Sequence, residues 1–128
     1  MQNLIYALIQ IIHNLGAATI VGLAATALWQ PQSRQRLAAW MAAIWALQGV
    51  SGLMFGITTF SYEGHLPDIH GIAVYALMIK ITCVILSIIL SLLLYAKKGW
   101  DGQLLAWRIL FVLGVVALAS AAFLRWFS

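Results

Sequence analysis

The chain has 128 residues, 64% of them hydrophobic and 8% charged, with a formal net charge of +4. Soluble domains carry about 25% charged residues, so there are too few polar groups here to cover a water-exposed surface, and a water-soluble globular domain is excluded. The basic residues are scattered at the edges of apolar runs, where they act as topology signals; that spread excludes a nucleic-acid-binding face, and the single cysteine, Cys83, excludes an intrachain disulfide or a CxxC site.

In chain order, the first apolar run covers residues 4–29, LIYALIQIIHNLGAATIVGLAATALW. A transmembrane helix needs roughly 20 mainly apolar residues, so this run is long enough to span. QPQSRQR at 30–36 ends it, with Pro31 and its polar neighbours supplying turn chemistry. The second run is 37–60, LAAWMAAIWALQGVSGLMFGITTF, followed by the loop SYEGHLPDIHG at 61–71. Asp68 in that loop is placed to cap a third helix over 70–95. AKKGWDGQ at 96–103 makes the next turn, and the fourth run is 104–126. The pattern predicts one all-α, integral-membrane domain over residues 1–128, a four-helix bundle of four spans.

Orientation follows from Lys and Arg near the span ends. The first and third loops carry Arg34, Arg36, Lys97 and Lys98, whereas the second loop has none and holds Glu63 and Asp68. The first and third loops are therefore expected in the cytoplasm and both termini outside. No basic region precedes the first run, so it is not expected to be a cleaved signal peptide. Trp29, Tyr62, Tyr95, Trp100 and Trp126 sit near run ends, as an interfacial aromatic belt would.

Within the spans the polar residues are few, and their depths agree. At the α-helical rise, His13 and Lys80 each lie about ten residues inside the outer ends of spans one and three, and Gln48 about twelve residues inside span two. Lys80 is the sharpest feature. No Asp or Glu stands within eleven positions of it, and a mid-span lysine costs roughly 2.5–3.5 kcal/mol on insertion scales. Such a residue faces the bundle interior or a wet cavity by default. Helical spacing around it gives Ala73, Ala76, Cys83, Ser87 and Ser91, a small and weakly polar stripe. The same spacing around His13 gives Gly16, Ala17, Ile20 and Ala24, and Gln48 keeps company with Met41, Trp45, Ser51, Gly52 and Phe55. His13, Gln48 and Lys80 are thus expected to point into one interior open to the outer side. A purely structural reading has Asn14, Gln48 and Ser51 as hydrogen-bonding glue between helices. For Lys80 the alternatives are loss of its proton or an anion from outside the chain, such as a haem propionate or a substrate carboxylate.

Metal chemistry is the other open reading. Imidazole suits Zn, Cu and Fe, and thioether suits Cu(I). His13, His65 and His70 all fall in the outer half, with Met54 and Met78 a few residues below the mouth. His13, His70 and Met78 form the candidate metal set, and His13, Lys80 and Gln48 the candidate cofactor set. His13 and His70 differ in depth by about nine residues, or roughly 13 Å, too far for a simple bis-histidine haem clamp; one histidine ligand with a propionate near Lys80 is easier. There is no Ser–His–acid set, no phosphate-cradling loop and no HExxH. No catalytic residue is assigned, and any chemistry would be a cofactor's.

IIHNLGAATIVG in span one resembles the opening helix of the bacterial copper-resistance D (CopD-like) membrane proteins, and ALMIKITCVILSIILSLLLY resembles their third helix, with its lysine in a Leu/Val run. Both features are shared with the four-helix, haem-binding protoporphyrinogen oxidases. The resemblance implies a multi-pass protein of the bacterial inner membrane that takes up copper, or that binds haem b and transfers electrons, with His13 and Lys80 at the family's polar positions. It implies as partners the lipid bilayer and a periplasmic metal or electron carrier. Two alternatives stand beside this: a non-catalytic accessory subunit of a larger membrane complex, and a haem-dependent membrane oxidoreductase.

Overall fold

The computed structural model describes residues 1–127. It contains α1 (Gln2–Trp29), a 3-10 turn (Pro31–Ser33), α2 (Arg34–Glu63), α3 (Ile72–Ala96) and α4 (Gln103–Phe127), with no strand among the described residues. The shortest of the four helices has 25 residues, which at 1.5 Å per residue is about 37 Å and exceeds the roughly 30 Å of bilayer hydrocarbon. All four helices are long and apolar enough to cross a membrane. The molecule is an all-α four-helix bundle with the build of a multi-pass membrane protein.

The helix ends explain where the sequence boundaries shift. α2 starts three residues earlier than the apolar run, because Pro31 opens a 3-10 turn and Arg34 continues it directly as helix. Arg34 also closes α1: its Nε donates to the Ala27 carbonyl at 2.7 Å and its Nη2 to the Leu28 carbonyl at 3.5 Å, placing a cation at the negative end of that helix. At its other end α2 runs through Ser61, Tyr62 and Glu63 to Gly64, whose φ of 76° ends it in the left-handed conformation that glycine adopts without penalty. Asp68 does not cap α3. The residue before that helix is Gly71, at φ 64° with no side-chain cap, and Asp68 lies three positions further back, beside the His70 ring.

The helices form a ring. α1 packs on α2 and α4, and α3 packs on α2 and α4, while the backbones of the diagonal pair α1 and α3 make no close approach. Both termini lie at one end, here the terminal end; Arg34, Arg36, Lys97 and Lys98 mark the other, the basic end. Burial is inverted relative to a soluble protein. The buried residues of α3 are Ala73, Ala76, Cys83, Ser87, Ser91 and Leu94, the predicted stripe plus one leucine. Its exposed residues include Ile79, Ile81, Ile85 and Leu86, which suit lipid and not water. Large buried side chains gather in the basic-end half, where Met41, Trp45, Trp107 and Leu110 are at most 1% exposed among the small Ala24, Ala27, Ala38 and Ala106.

Candidate functional site

The polar layer sits in the terminal-end half, and close packing builds it. Gln48 and Ser51 stand one turn apart on the inward face of α2, both buried. The Gln48 amide Nε2 donates to the His13 backbone carbonyl at 2.6 Å. That reach exists because residue 16 is glycine: a Cβ there would overlap Gln48 Nε2, so the missing side chain lets α2 touch the backbone of α1. Gly52, one turn along, lies under the His13 ring, with 3.7 Å between its would-be Cβ and His13 Cε1.

His13 is 7% exposed, and both of its ring nitrogens are engaged. Nδ1 lies 2.7 Å from Ser51 Oγ, and Nε2 lies 2.8 Å from Lys80 Nζ. The network assigns the tautomer. Ser51 has one hydroxyl proton and donates it to the Gln48 carbonyl at 3.2 Å. Its oxygen therefore accepts from His13 Nδ1–H, leaving the Nε2 lone pair facing Lys80, which donates to it. Phe55 closes one side, its ring edge-on to His13 at a centroid distance of 5.7 Å and an angle of 83°. Tyr6 stacks on Phe55 at 6.3 Å and hydrogen-bonds Thr59 through its hydroxyl, which continues the polar contacts toward the terminal end.

The His13–Lys80 bond joins α1 to α3 across the bundle axis, between helices whose backbones do not meet. This geometry puts both side chains in the interior, as the helical spacing predicts. Among the described residues no carboxylate balances the pair. Glu63, at the exposed end of α2, and Asp68, in the exposed second loop, lie 3.7 Å from the His65 ring and 3.9 Å from the His70 ring respectively. Two basic nitrogens thus meet in one hydrogen bond in a low-dielectric setting. Such a pair is a Brønsted base, and with Lys80 displaced, Nε2 is a Lewis base aimed into the core.

The structure brings together His13, Gln48 and Lys80 of the candidate set and leaves His70 and Met78 apart. The His70 side chain is 83% exposed in the loop beside Asp68, and Met78 is 60% exposed on the outer surface of α3. Among the described residues no group of three or more His, Cys, Asp or Glu side chains is placed to hold a metal ion. Asn14 faces outward and pairs with Gln10 on its own helix at 2.6 Å instead of crossing to a neighbour. Tyr6 and Thr59 escaped the sequence reading. Tyr6 lies seven positions before His13, on the same helical face, and that spacing is the signal that would have found it.

The chain matches no family model, no curated protein and no solved structure.

Proposed function

We propose that this chain is a haem-handling protein of the bacterial inner membrane, oriented with its basic end in the cytoplasm, and that it holds a b-type haem through His13 for electron transfer. The observation that supports this reading most is the Ser51–His13 hydrogen bond, which holds the imidazole with its Nε2 lone pair turned into the bundle. A histidine that ligates a metal usually has its other ring N–H held in this way.

Donor chemistry favours haem over copper. Haem brings four macrocycle nitrogens to its iron and asks the protein for one or two axial ligands. A bare copper ion asks for a full set of side-chain donors, and His70 and Met78 are not beside His13. His13 Nε2 would be the haem ligand, and Lys80, bonded to His13 but to no carboxylate among the described residues, would answer a propionate carboxylate. Gln48 and Ser51 hold the imidazole and its backbone in place. When bound, the haem would supply one-electron chemistry, with a membrane complex or a periplasmic carrier as the exchange partner.

The test is a visible spectrum of the full chain purified in mild detergent from cells supplied with a haem precursor, together with copper analysis of the same sample. A Soret band that disappears in His13→Ala is the expected result. Copper at one equivalent without a Soret band would favour metal uptake instead. Absence of both would remove the cofactor and leave an accessory subunit whose polar layer serves assembly.

A further inference from the structure

The basic-end half of the core contains a second set of polar groups that the haem reading does not use. Trp45 Nε1, Ser87 Oγ, Ser91 Oγ and Trp107 Nε1 are buried with no protein partner, and all four residues are at most 1% exposed. Four threonine hydroxyls in the spans behave differently. Those of Thr19, Thr26, Thr59 and Thr82 each donate to the backbone carbonyl four residues back on their own helix. Ser87 and Ser91 do not, so the backbone does not satisfy them. By contrast, Trp29 and Trp126 at helix ends are more than three-quarters exposed.

The four groups occupy consecutive levels of the same core. Gly49 of α2 stands against Val84 of α3, so Trp45, one turn further toward the basic end, is level with Ser87. Trp107 lies four residues from the start of α4 and Ser91 five from the end of α3, which places them at one depth. Lys80, Cys83, Ser87 and Ser91 follow one another along a single face of α3, and Cys83, Ser87 and Ser91 are buried. Buried polar groups without protein partners are the places where proteins hold internal water, typically with two to four hydrogen bonds each.

We propose that Trp45, Ser87, Ser91 and Trp107 hold a short file of internal waters, and that this file delivers protons to the Lys80–His13 pair from the basic end of the bundle. Each water accepts one proton and passes one on, and the last transfer goes to whichever of Lys80 Nζ and His13 Nε2 lacks it, so nothing is oxidised or consumed. Lys80 meets His13 of α1 directly; Gln48 and Ser51 of α2 hold His13, and Cys83 lies one turn from Lys80 on its own helix toward the basic end. From the terminal half of α4 the core receives Ala117 and Ser120, neither of which titrates. The inference needs no cofactor and stands independently of the haem reading.

The test is solid-state NMR on the full chain in liposomes, following magnetisation transfer from water to the Trp45 and Trp107 indole N–H groups and hydrogen exchange at Lys80 Nζ. Water signals at both buried indoles are expected. The pair Ser87→Ala/Ser91→Ala should slow exchange at Lys80 several-fold, while Ser120→Ala leaves it unchanged. Ser91→Thr keeps the hydroxyl and Ser91→Val does not, at equal bulk, so exchange should survive only in the threonine variant. Dry indoles in the wild-type chain would overturn the proposal even if no serine variant folds. So would unchanged Lys80 exchange in the alanine pair, or slowing caused by Ser120→Ala, which would place proton entry at the terminal end.

Discussion

A double-mutant cycle on His13 and Lys80 measures the contact on which the site depends. Lys80→Met removes a mid-span lysine that insertion scales charge at roughly 2.5–3.5 kcal/mol. The same change strips the partner from His13 Nε2, a buried acceptor 2.8 Å away, at a cost of about 1–3 kcal/mol. The inserted, unfolded chain bears that insertion cost as well, so unfolding within the bilayer should register only the orphaned acceptor, and the single variant should be less stable by about 1–3 kcal/mol. His13→Leu acts in the same direction. It leaves Lys80 without its acceptor and Ser51 without its donor, and the bundle should lose stability.

The coupling between the two changes is the decisive number. Hydrogen bonds across membrane helices average about 0.6 kcal/mol in such cycles, with a maximum near 1.7, because the unfolded chain in the membrane also finds partners. Here that reason is weak: no Asp or Glu lies within eleven positions of Lys80, so an isolated third helix offers its ammonium no ion pair. The coupling should sit near the upper end, about 1.5 kcal/mol, a factor of roughly twelve in the unfolding equilibrium. Unfolding of the four chains in bicelles, followed by steric trapping, measures it. A coupling below about 0.5 kcal/mol, the scatter of additive sites, would refute the claim that the pair is a real bond across the axis.

Three further outcomes follow from the same geometry. Ser51→Ala should cost about 1–3 kcal/mol by orphaning His13 Nδ1–H, and nitrogen-15 NMR should show the ring losing its single tautomer; under the haem reading, affinity should also fall roughly 10–100-fold. Gly16→Ala should displace the Gln48 amide from the His13 carbonyl and destabilise the bundle by about 1–3 kcal/mol in the same unfolding assay, whereas Gly22→Ala, where the new methyl meets nothing within 4 Å, should be neutral or stabilising. Arg34→Gln should lower stability by about 0.5–1.5 kcal/mol through loss of the bonds that close α1, with amide exchange rising first at residues 26–30.

How much of this the chain declares in advance depends on the kind of contact. The spans are legible because hydrophobic run length and bilayer thickness are matched quantities, and the inward stripe of α3 is legible because Lys80, Cys83, Ser87 and Ser91 repeat at helical spacing. That His13 meets Lys80 follows from equal depth and inward facing on two helices. The helix ends are less legible. Ser61, Tyr62 and Glu63 look like loop by polarity, yet they continue α2 until Gly64 stops it, because exposed helix termini tolerate polar residues. Asp68 looks like a cap, but Gly71 breaks the chain between it and α3. The role of Gly16 cannot be read from composition at all: it depends on which side chain of α2 arrives at its level.

The occupancy of His13 sets the terms on which anything binds it. Nδ1 is tied to a serine whose own proton is committed to α2, so displacing Ser51 would orphan two groups. Nε2 is tied to Lys80, a flexible side chain on a helix whose backbone makes no close approach to that of α1. A ligand for Nε2 would therefore replace Lys80 and not Ser51, between two helices whose backbones are not in close contact. Under the haem reading Lys80 would be both gate and counter-charge, two roles that the substitutions separate. With only a gate removed, Lys80→Met would bind haem faster and at least as tightly. With a propionate partner removed as well, it would bind faster yet release faster. Stopped-flow haem uptake and loss measured on that variant distinguish the two, and uptake no faster than in the wild-type chain would show that Lys80 does not occupy the ligand's position.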